Sequence, residues 1–427
     1  MTGFHLGPFA GATGFSDAVG LDEADPIFDF RERYHVADPE LIYLDGNSLG
    51  RLPRAVLPRL EELVVDQWGD GLIRSWNETW WDLQIAIGER LAPLIGALPG
   101  EVIISDSTSV NLYKLAMAAL GVSESRRKIV TDDANFPTDL YVLRGVAGAL
   151  GGYVEMVRTE GSTSPMASLE AALDEEAALL SLSSTAFKSG YTYDIAGVTA
   201  LAHRAGASVL WDLSHSAGVM PIDLEASGAD MAVGCTYKYL NGGPGAPAFL
   251  YVRRDLQGSL ASPIPGWWGH AEPFAFDLDY QPAEGIRSFH SGTMPILSLA
   301  AMEAGFTDVA EAGIDRIRAK SVSLTEFFIR QWEEHLAPLG FALASPLDPE
   351  RRGSHVSLSH PEAWPLDRAL IEIGMVIPDF RAPDNLRFGL APLYNTHLEV
   401  HTAVQRIRAI AMTGAHAPFA GEKLTVT

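Results

Sequence analysis

Between residues 101 and 260 the chain alternates short apolar runs with stretches of helical spacing, and this alternation restricts its fold more than any other feature. The runs are Val102–Ile104, Ile129–Thr131, Tyr153–Val157, Ala178–Ser183, Val209–Asp212, Met231–Gly234 and Ala248–Val252. Their intervals suit crossover helices, and a strand that returns through a helix pairs parallel to its predecessor. The pattern therefore predicts an α/β architecture, a mostly parallel sheet with helices on both faces. Residues 1–40 read as an irregular arm with a short helix from Asp22 to Arg33. Residues 54–68 and 80–95 have helical spacing, and the aromatic segment Gly69–Asn77 between them reads as a loop. Residues 261–295 are rich in Gly, Pro, Trp and His and read as a long functional loop region. A helical pattern then runs from about 297 to about 336, followed by strands at Gly353–Leu358, Met375–Pro378 and Asn385–Gly389 and a helix at Thr396–Thr413. The expected division is an arm and helix over 1–60, a large domain over 61–300 and a smaller α+β domain over 301–427.

Two of the predicted strands end in residues that carry chemistry. Met231–Gly234 leads into Cys235-Thr-Tyr-Lys-Tyr-Leu-Asn-Gly-Gly-Pro-Gly245, where Lys238 stands between two tyrosines and before a turn no strand interior tolerates. A loop lysine is most often a solvated surface residue. These neighbours instead suit an amine held at a strand end to form a Schiff base. Upstream, Ser208-Val-Leu-Trp ends in Asp212-Leu-Ser-His215. A strand-end aspartate often only caps a helix. Together with the lysine it meets the needs of pyridoxal phosphate (PLP), whose aldehyde carbon bonds a lysine and whose pyridinium nitrogen pairs with a carboxylate. His215 would stack on the ring or bond Asp212; the alternative is a structural histidine.

The phosphate needs donors, and Ser105-Asp-Ser-Thr-Ser-Val-Asn111 follows a strand and opens the helical stretch Leu112–Leu120. Its free N–H groups and the Thr108 and Ser109 hydroxyls would form an anion site, with a plain N-cap as the alternative. In Asn135-Phe-Pro-Thr-Asp139, Phe136 would stack on the ring and Asp139 bond its hydroxyl side, unless the segment is only a turn closing a strand.

The totals exclude other classes. Thirty-one basic residues against 54 acidic ones give a net charge of −23, which argues against a nucleic-acid or anionic membrane surface. No long uncharged apolar run predicts a transmembrane helix, and the start Met-Thr-Gly-Phe-His lacks the layout of a signal peptide. The single cysteine, Cys235, leaves no intramolecular disulfide or multi-cysteine metal site, and a reducing cytoplasm is the simplest setting. No P-loop, H-E-x-x-H or G-x-S-x-G motif is present, and His270 and His290 stand too isolated for a metal site.

In order along the chain, Tyr43-Leu-Asp-Gly-Asn-Ser-Leu-Gly50, Thr108-Ser-Val-Asn111, Phe136-Pro-Thr-Asp139, Asp212-Leu-Ser-His-Ser-Ala-Gly218, Tyr237-Lys-Tyr-Leu-Asn-Gly242, Gly266-Trp-Trp-Gly-His270 and Arg387 resemble the kynureninases. These are PLP-dependent enzymes of fold type I, the aspartate aminotransferase superfamily, and the resemblance extends to Pro392-Leu-Tyr-Asn395. It implies that Lys238 anchors the cofactor, that Thr108, Ser109 and Tyr237 bind its phosphate, and that Phe136 stacks on its ring. Asp139, Ser183, Asp212 and His215 would surround the ring, Ser183 on the loosest match. Trp267 and Thr293 would contact the cofactor across a dimer interface. Arg387 would pair bidentately with the substrate α-carboxylate. Asn47, Trp76, Trp268 and His270 would meet a flat aminophenyl ketone, although Trp76 and Trp268 also suit interface packing.

The implied reaction is hydrolysis of L-kynurenine, or 3-hydroxykynurenine, to anthranilate, or 3-hydroxyanthranilate, and L-alanine in tryptophan catabolism or NAD biosynthesis. Lys238 would carry the α-proton, Asp212 would keep the ring protonated, and Tyr237 would be the acid at the β-carbon. Thr293 matches bacterial members and favours kynurenine. A cytoplasmic homodimer with active sites at the interface is expected. A cysteine desulfurase would need a cysteine on a mobile late loop, whereas Cys235 lies on a strand just before Lys238. An aminotransferase shares the core, and a non-catalytic binding module would not need Lys238, Asp212 and Arg387 together.

Overall fold

Seven strands form the large sheet of the computed structural model, which describes residues 14–123, 125–159 and 165–421. The first thirteen residues, which include the predicted arm's start and the segment read for a signal peptide, lie outside the described residues. The spatial order is Val102–Ile104, Phe249–Val252, Met231–Gly234, Ser208–Asp212, Ala177–Ser183, Lys128–Asp132, Tyr153–Val157. The last five are mutually parallel, and Phe249–Val252 runs antiparallel to both its neighbours.

The apolar runs are continuous because both sheet faces are covered. Val130, Leu180, Leu182, Val209 and Trp211 enter one hydrophobic cluster, while Ile129, Leu179, Leu210, Met231 and Val233 enter another, following the two-residue period of a strand. Helices Thr108–Gly121 and Pro137–Ala149 serve the second cluster, and Ile195–Ala205 the first. Because the strands are parallel, their carboxyl ends share one edge of the sheet, the usual place for a ligand in such folds. Asp132, Ser183 and Asp212 end their strands there, and the chain leaving Gly234 leads to Lys238.

A second core lies around a four-stranded antiparallel sheet, in the order Asp379–Arg381, Asn385–Gly389, His355–Ser359, Ala342–Leu343. Leu324, Phe328, Val356, Leu386, Phe388 and Val404 fill it, joined by Ala18, Leu21, Ile42 and Leu44 from the N-terminal segment. Asp22 fastens that segment. Its Oδ1 accepts from His397 N at 2.7 Å and from His397 Nδ1 at 2.9 Å, and its Oδ2 from Leu398 N at 3.0 Å. Helix Ile296–Ala312 packs into the first core through Leu299, Met302, Phe306 and Val309, as does Ile317, whereas Leu324 belongs to the second.

The structure corrects several local expectations. The helix expected over Asp22–Arg33 is a helix at Phe15–Glu23 and a separate 3₁₀ turn at Phe28–Arg33, because Pro26 breaks continuity between them. The expected loop Gly69–Asn77 is wound into wide and tight helical turns, Leu63–Gly71, Leu72–Arg74 and Trp76–Trp80. Gln67 holds these turns together, accepting from Trp80 Nε1 at 2.7 Å through its side chain and from Ser75 Oγ at 2.6 Å through its carbonyl. The long helix expected from 297 to 336 breaks at Gly313, whose φ of 79° stops the first helix before Ile314–His335 begins. The strand expected at Met375–Pro378 is present in its middle two residues. Val376–Ile377 pairs parallel with Ile42–Tyr43, and the chain then enters Asp379–Arg381.

Candidate active site

Lys238 follows its strand through a turn fixed by its own backbone. Asn241, with φ of 54°, donates its N–H to Lys238 O at 2.9 Å, Gly242 N donates to Thr236 O at 2.9 Å, and Thr236 Oγ1 donates to Pro247 O at 2.7 Å. The segment Asp45–Gly50 lies flat on this turn, with Gly50 N donating to Tyr237 O at 2.8 Å. A Cβ at Gly50 would stand 2.5 Å from Lys238 O, so only glycine allows the approach.

Lys238 Nζ lies 2.9 Å from His215 Nε2. Burial, reinforced by the charges of Lys238 and Arg387, holds the His215 imidazole well below its usual range, so the ring is neutral and accepts the lysine's hydrogen bond. Asp212 ends its strand in register with Ser183, and its Oδ1 accepts from Ser214 N at 2.8 Å. Asp139, in the first turn of Pro137–Ala149, faces Asp212. Burial and then the Asp212 charge push Asp139 well above the usual carboxylate range, which makes it a protonated acid beside a carboxylate.

The Phe136 turn is held from below. Asp132 accepts from Tyr193 Oη at 2.5 Å and from Ala134 N and Asn135 N at 3.0 Å each. Burial pushes its carboxyl up to about 6. Asn135 in turn donates to Thr131 Oγ1 at 2.9 Å and accepts from Ser183 N at 2.5 Å.

At the start of helix Thr108–Gly121 the capping bond comes from Ser107, whose hydroxyl accepts from Val110 N at 3.4 Å. Thr108 and Ser109 are therefore not needed as caps, and both line the cavity in front of Lys238. The N–H groups of a helix start favour an anion there. Beneath it the buried Lys114 pairs with Asp106 and donates to Phe289 O at 2.8 Å.

That cavity, about 220 Å³, is lined by Asn47, Thr108, Ser109, Phe136, Asp139, Asp212, His215, Tyr237, Lys238 and Arg387 from the sequence expectation, and by Ser48, Thr138, Ser214 and Arg381 in addition. A second cavity of about 410 Å³ shares Thr108, Ser109 and Tyr237 and is walled by Thr293. Ser183 sits one strand over, behind Asp212. Trp76, Trp267, Trp268 and His270 do not line the Lys238 cavity. The tryptophans pack with Trp81 and Phe274, with Trp268 lying 4.4 Å from Trp81 and 5.3 Å from Trp76 between ring centres. His270 Nδ1 accepts from Glu272 N at 2.8 Å within its own loop. Aromatic residues read the same in sequence whether they build a wall or a core, so nothing there separated the two.

Arg387 is buried and heavily engaged. It donates from Nε to Asp379 Oδ1 at 3.1 Å, from Nη2 to Asp379 Oδ2 and to Ser48 Oγ at 2.8 Å, and from Nη1 to Phe187 O at 2.6 Å. Several buried polar atoms at the cavity lack partners: both amide atoms of Asn47 and His215 Nδ1. Buried groups left in this state call for a polar ligand. An amine, an anion-binding helix start, a carboxylate pair and guanidiniums around one such space fit an aldehyde-bearing phosphorylated ring with an amino-acid substrate.

Residues 317–407 match the family model described as the kynureninase C-terminal domain. Over 413 residues the chain is 45% identical to the kynureninase of Pseudomonas fluorescens, an alignment covering 95% of this chain and 97% of that one. The chain belongs to the kynureninase family. A kynureninase of Burkholderia pseudomallei strain 1106a is 43% identical over 417 residues, covering 96% of this chain and 99% of its own. Among solved structures, the apo cysteine desulfurase of Thermococcus onnurineus NA1 superposes with a TM-score of 0.78 at 20% identity, covering 90% of this chain and 98% of that one. A C-DES variant with glycine covalently linked to its PLP cofactor gives 0.76 at 17% identity, covering 86% and 97%. At these identities the structures share the fold, that of PLP-dependent fold type I enzymes. In this kynureninase-family chain Cys235 is buried with its Sγ 3.8 Å from Ser214 O, and burial pushes its thiol up. It has neither the exposure nor the ionisation of a loop nucleophile.

Proposed function

We propose that the Lys238 cavity hydrolyses L-kynurenine to anthranilate and L-alanine, with PLP as its cofactor. The observation that carries this reading is the convergence of Lys238, Asp212 and Arg387 on one cavity with the helix start at Thr108 and Ser109. Lys238 would anchor the cofactor aldehyde, Asp212 would meet the ring nitrogen, and Thr108, Ser109 and Tyr237 would hold the phosphate. Phe136, Asp139 and His215 would enclose the ring, with Ser183 supporting Asp212 from behind. When bound, the cofactor supplies an electron sink that makes the α-proton of an amino acid removable.

The remaining work falls to side chains. Arg387 holds the α-carboxylate, and Asn47 offers its unpartnered amide to the substrate. Lys238 Nζ takes the α-proton, with neutral His215 fixing the amine through the 2.9 Å contact. Water adds at the γ-carbonyl, the Cβ–Cγ bond breaks, and anthranilate departs. Burial raises the Tyr237 phenol, so it stays protonated and can donate to the β-carbon left behind. L-Alanine is then released.

A homodimer completes this reading. Trp68 and Leu297 are exposed and line a groove with Met294 and Pro295, next to Thr293, and the exposed Trp267, Phe274 and Phe276 pack edge to face, apolar surface that a partner would cover. A second copy would cover it and bring Trp267 and Thr293 to the neighbouring site, with Trp76, Trp268 and His270 framing the substrate's aryl end. No described helix is long and apolar enough to cross a membrane. A cytoplasmic place in tryptophan catabolism suits this reaction and a chain with a single cysteine, Cys235. Parallel assays with L-kynurenine and 3-hydroxykynurenine test the proposal through the fluorescence of the aryl product. Kynurenine is expected to be preferred. PLP-loaded protein inert toward both would transfer the reading to an aminotransferase.

A further inference from the structure

Asp379 and Arg387 face each other in the antiparallel pair formed by Asp379–Arg381 and Asn385–Gly389. Their side chains are almost fully enclosed, with 1% and 2% of their surface exposed. A guanidinium has five N–H donors in a rigid fork. Asp379 occupies the Nε–Nη2 edge, the Phe187 carbonyl takes one Nη1 hydrogen and Ser48 takes the other Nη2 hydrogen. One Nη1 hydrogen is left. Ser48 in turn donates its hydroxyl to Asp379 Oδ2 at 2.9 Å. Arg381, which also lines the cavity, reaches the same Oδ2 with its Nη2 at 2.6 Å. One buried carboxylate thus sets the roll of Arg387 and holds a second guanidinium beside it.

We propose that Asp379 is a positioning residue for substrate recognition. By occupying the side edge of Arg387 it turns the Nη1–Nη2 end toward the cavity, and by tethering Arg381 it keeps a second cation next to that end. The substrate α-carboxylate then meets the remaining Nη1 hydrogen of Arg387 together with the Arg381 guanidinium held beside it. This arrangement selects amino acids over the corresponding amines. The inference rests on the proposed reaction, in which Arg387 takes the α-carboxylate.

The test compares PLP-loaded wild type, Asp379→Asn and Asp379→Glu. Asparagine keeps the shape but sets an amide N–H against a guanidinium. The expected result is a rise of about 10- to 100-fold in KM for L-kynurenine, the scale of one hydrogen bond to a charged group, with kcat little changed. The Kd for L-alanine, read by titrating the visible absorbance of the holoenzyme, should rise in parallel. The preference for kynurenine over its decarboxylated amine should shrink, and Asp379→Glu should recover part of all three. Unchanged KM and Kd in folded, PLP-loaded Asp379→Asn overturns the proposal. So does a fall in kcat alone with a lowered urea midpoint, which assigns Asp379 to stability. Wild type that fails to cleave kynurenine refutes the reaction instead, and the L-alanine comparison still tests Asp379.

Discussion

Replacing Gly50 by alanine tests whether the N-terminal segment sets the position of Lys238, the proposed cofactor anchor. The added methyl would lie 2.5 Å from Lys238 O and 2.9 Å from Asn241 Cα, and in hard overlap with Asn241 Oδ1. The amide of Asn241 can rotate, but the two backbone atoms cannot leave independently, because Asn241 N donates to Lys238 O at 2.9 Å. Gly50 is itself tied to Tyr237 O at 2.8 Å. To reach the 3.0 Å that real Cβ contacts respect, the lysine carbonyl must retreat by at least about 0.5 Å. Lys238 Nζ is fixed at its far end by His215 at 2.9 Å, so the shift must strain the lysine or loosen that contact. Overpacking of this kind costs about 1–3 kcal/mol of stability. A displaced reacting group should lower kcat/KM by roughly 10- to 100-fold, since misplacement by about 1 Å can cost a hundredfold. Anthranilate fluorescence measures the rate, and the visible absorbance of bound PLP reports whether the lysine still engages the cofactor. Gly20→Ala is the control, since nothing lies within 4 Å of its new methyl. Gly50→Ala with kcat/KM within about twofold of wild type would refute the claim that this contact positions Lys238.

Two further predictions concern charge. Burial, then the charge of Asp379, pushes the Asp45 and Asp367 carboxyls up to about 8. Below that pH both are neutral, and of these three carboxyls only Asp379 offsets the Arg381 and Arg387 guanidiniums that would face the substrate carboxylate. Above it they ionise and repel the substrate, so KM for L-kynurenine should climb as pH rises through about 8, with kcat less affected; a flat KM across that range contradicts the assignment. Burial raises Asp22, but the bonds from His397 and Leu398 outweigh it and hold the carboxyl below its ordinary value. A depressed carboxylate stabilises the fold above its unfolded pKa and loses that contribution as pH falls through the folded one. Asp22→Asn should therefore cost roughly 1–3 kcal/mol in urea unfolding near neutral pH, and its gap from wild type should narrow below about pH 4. A gap that stays constant with pH would place the effect elsewhere.

The large sheet was legible because its central strands are buried on both faces and so appear as unbroken apolar runs. The strand ends of the proposed site were legible for the same reason. Once Ser208–Asp212 and Met231–Gly234 are recognised, Asp212 and Lys238 fall on the edge where parallel strands end. The second sheet was harder. Its edge strands Ala342–Leu343 and Asp379–Arg381 have only two or three residues each, too few to show a period. Without the Asp379–Arg381 strand, nothing aligned Asp379 with Arg387 or brought Arg381 to the cavity, and both were missed. Ser48 was missed although it stands in the motif beside Asn47, because its partners Asp379 and Arg387 lie hundreds of residues away. The segment 69–77 was misjudged because Gln67 and Trp80, which hold its turns, act through side-chain bonds that no hydrophobic pattern encodes.

The central claim is that this cavity cleaves the Cβ–Cγ bond of kynurenine and that Lys238 is indispensable to it. The most direct measurement follows both products from L-kynurenine with wild type and Lys238→Ala, each supplied with PLP. Wild type should release anthranilate and L-alanine in equal amounts, and Lys238→Ala should release neither at a comparable rate. Kynurenine consumed without alanine, or a Lys238→Ala variant as active as wild type, would contradict the account.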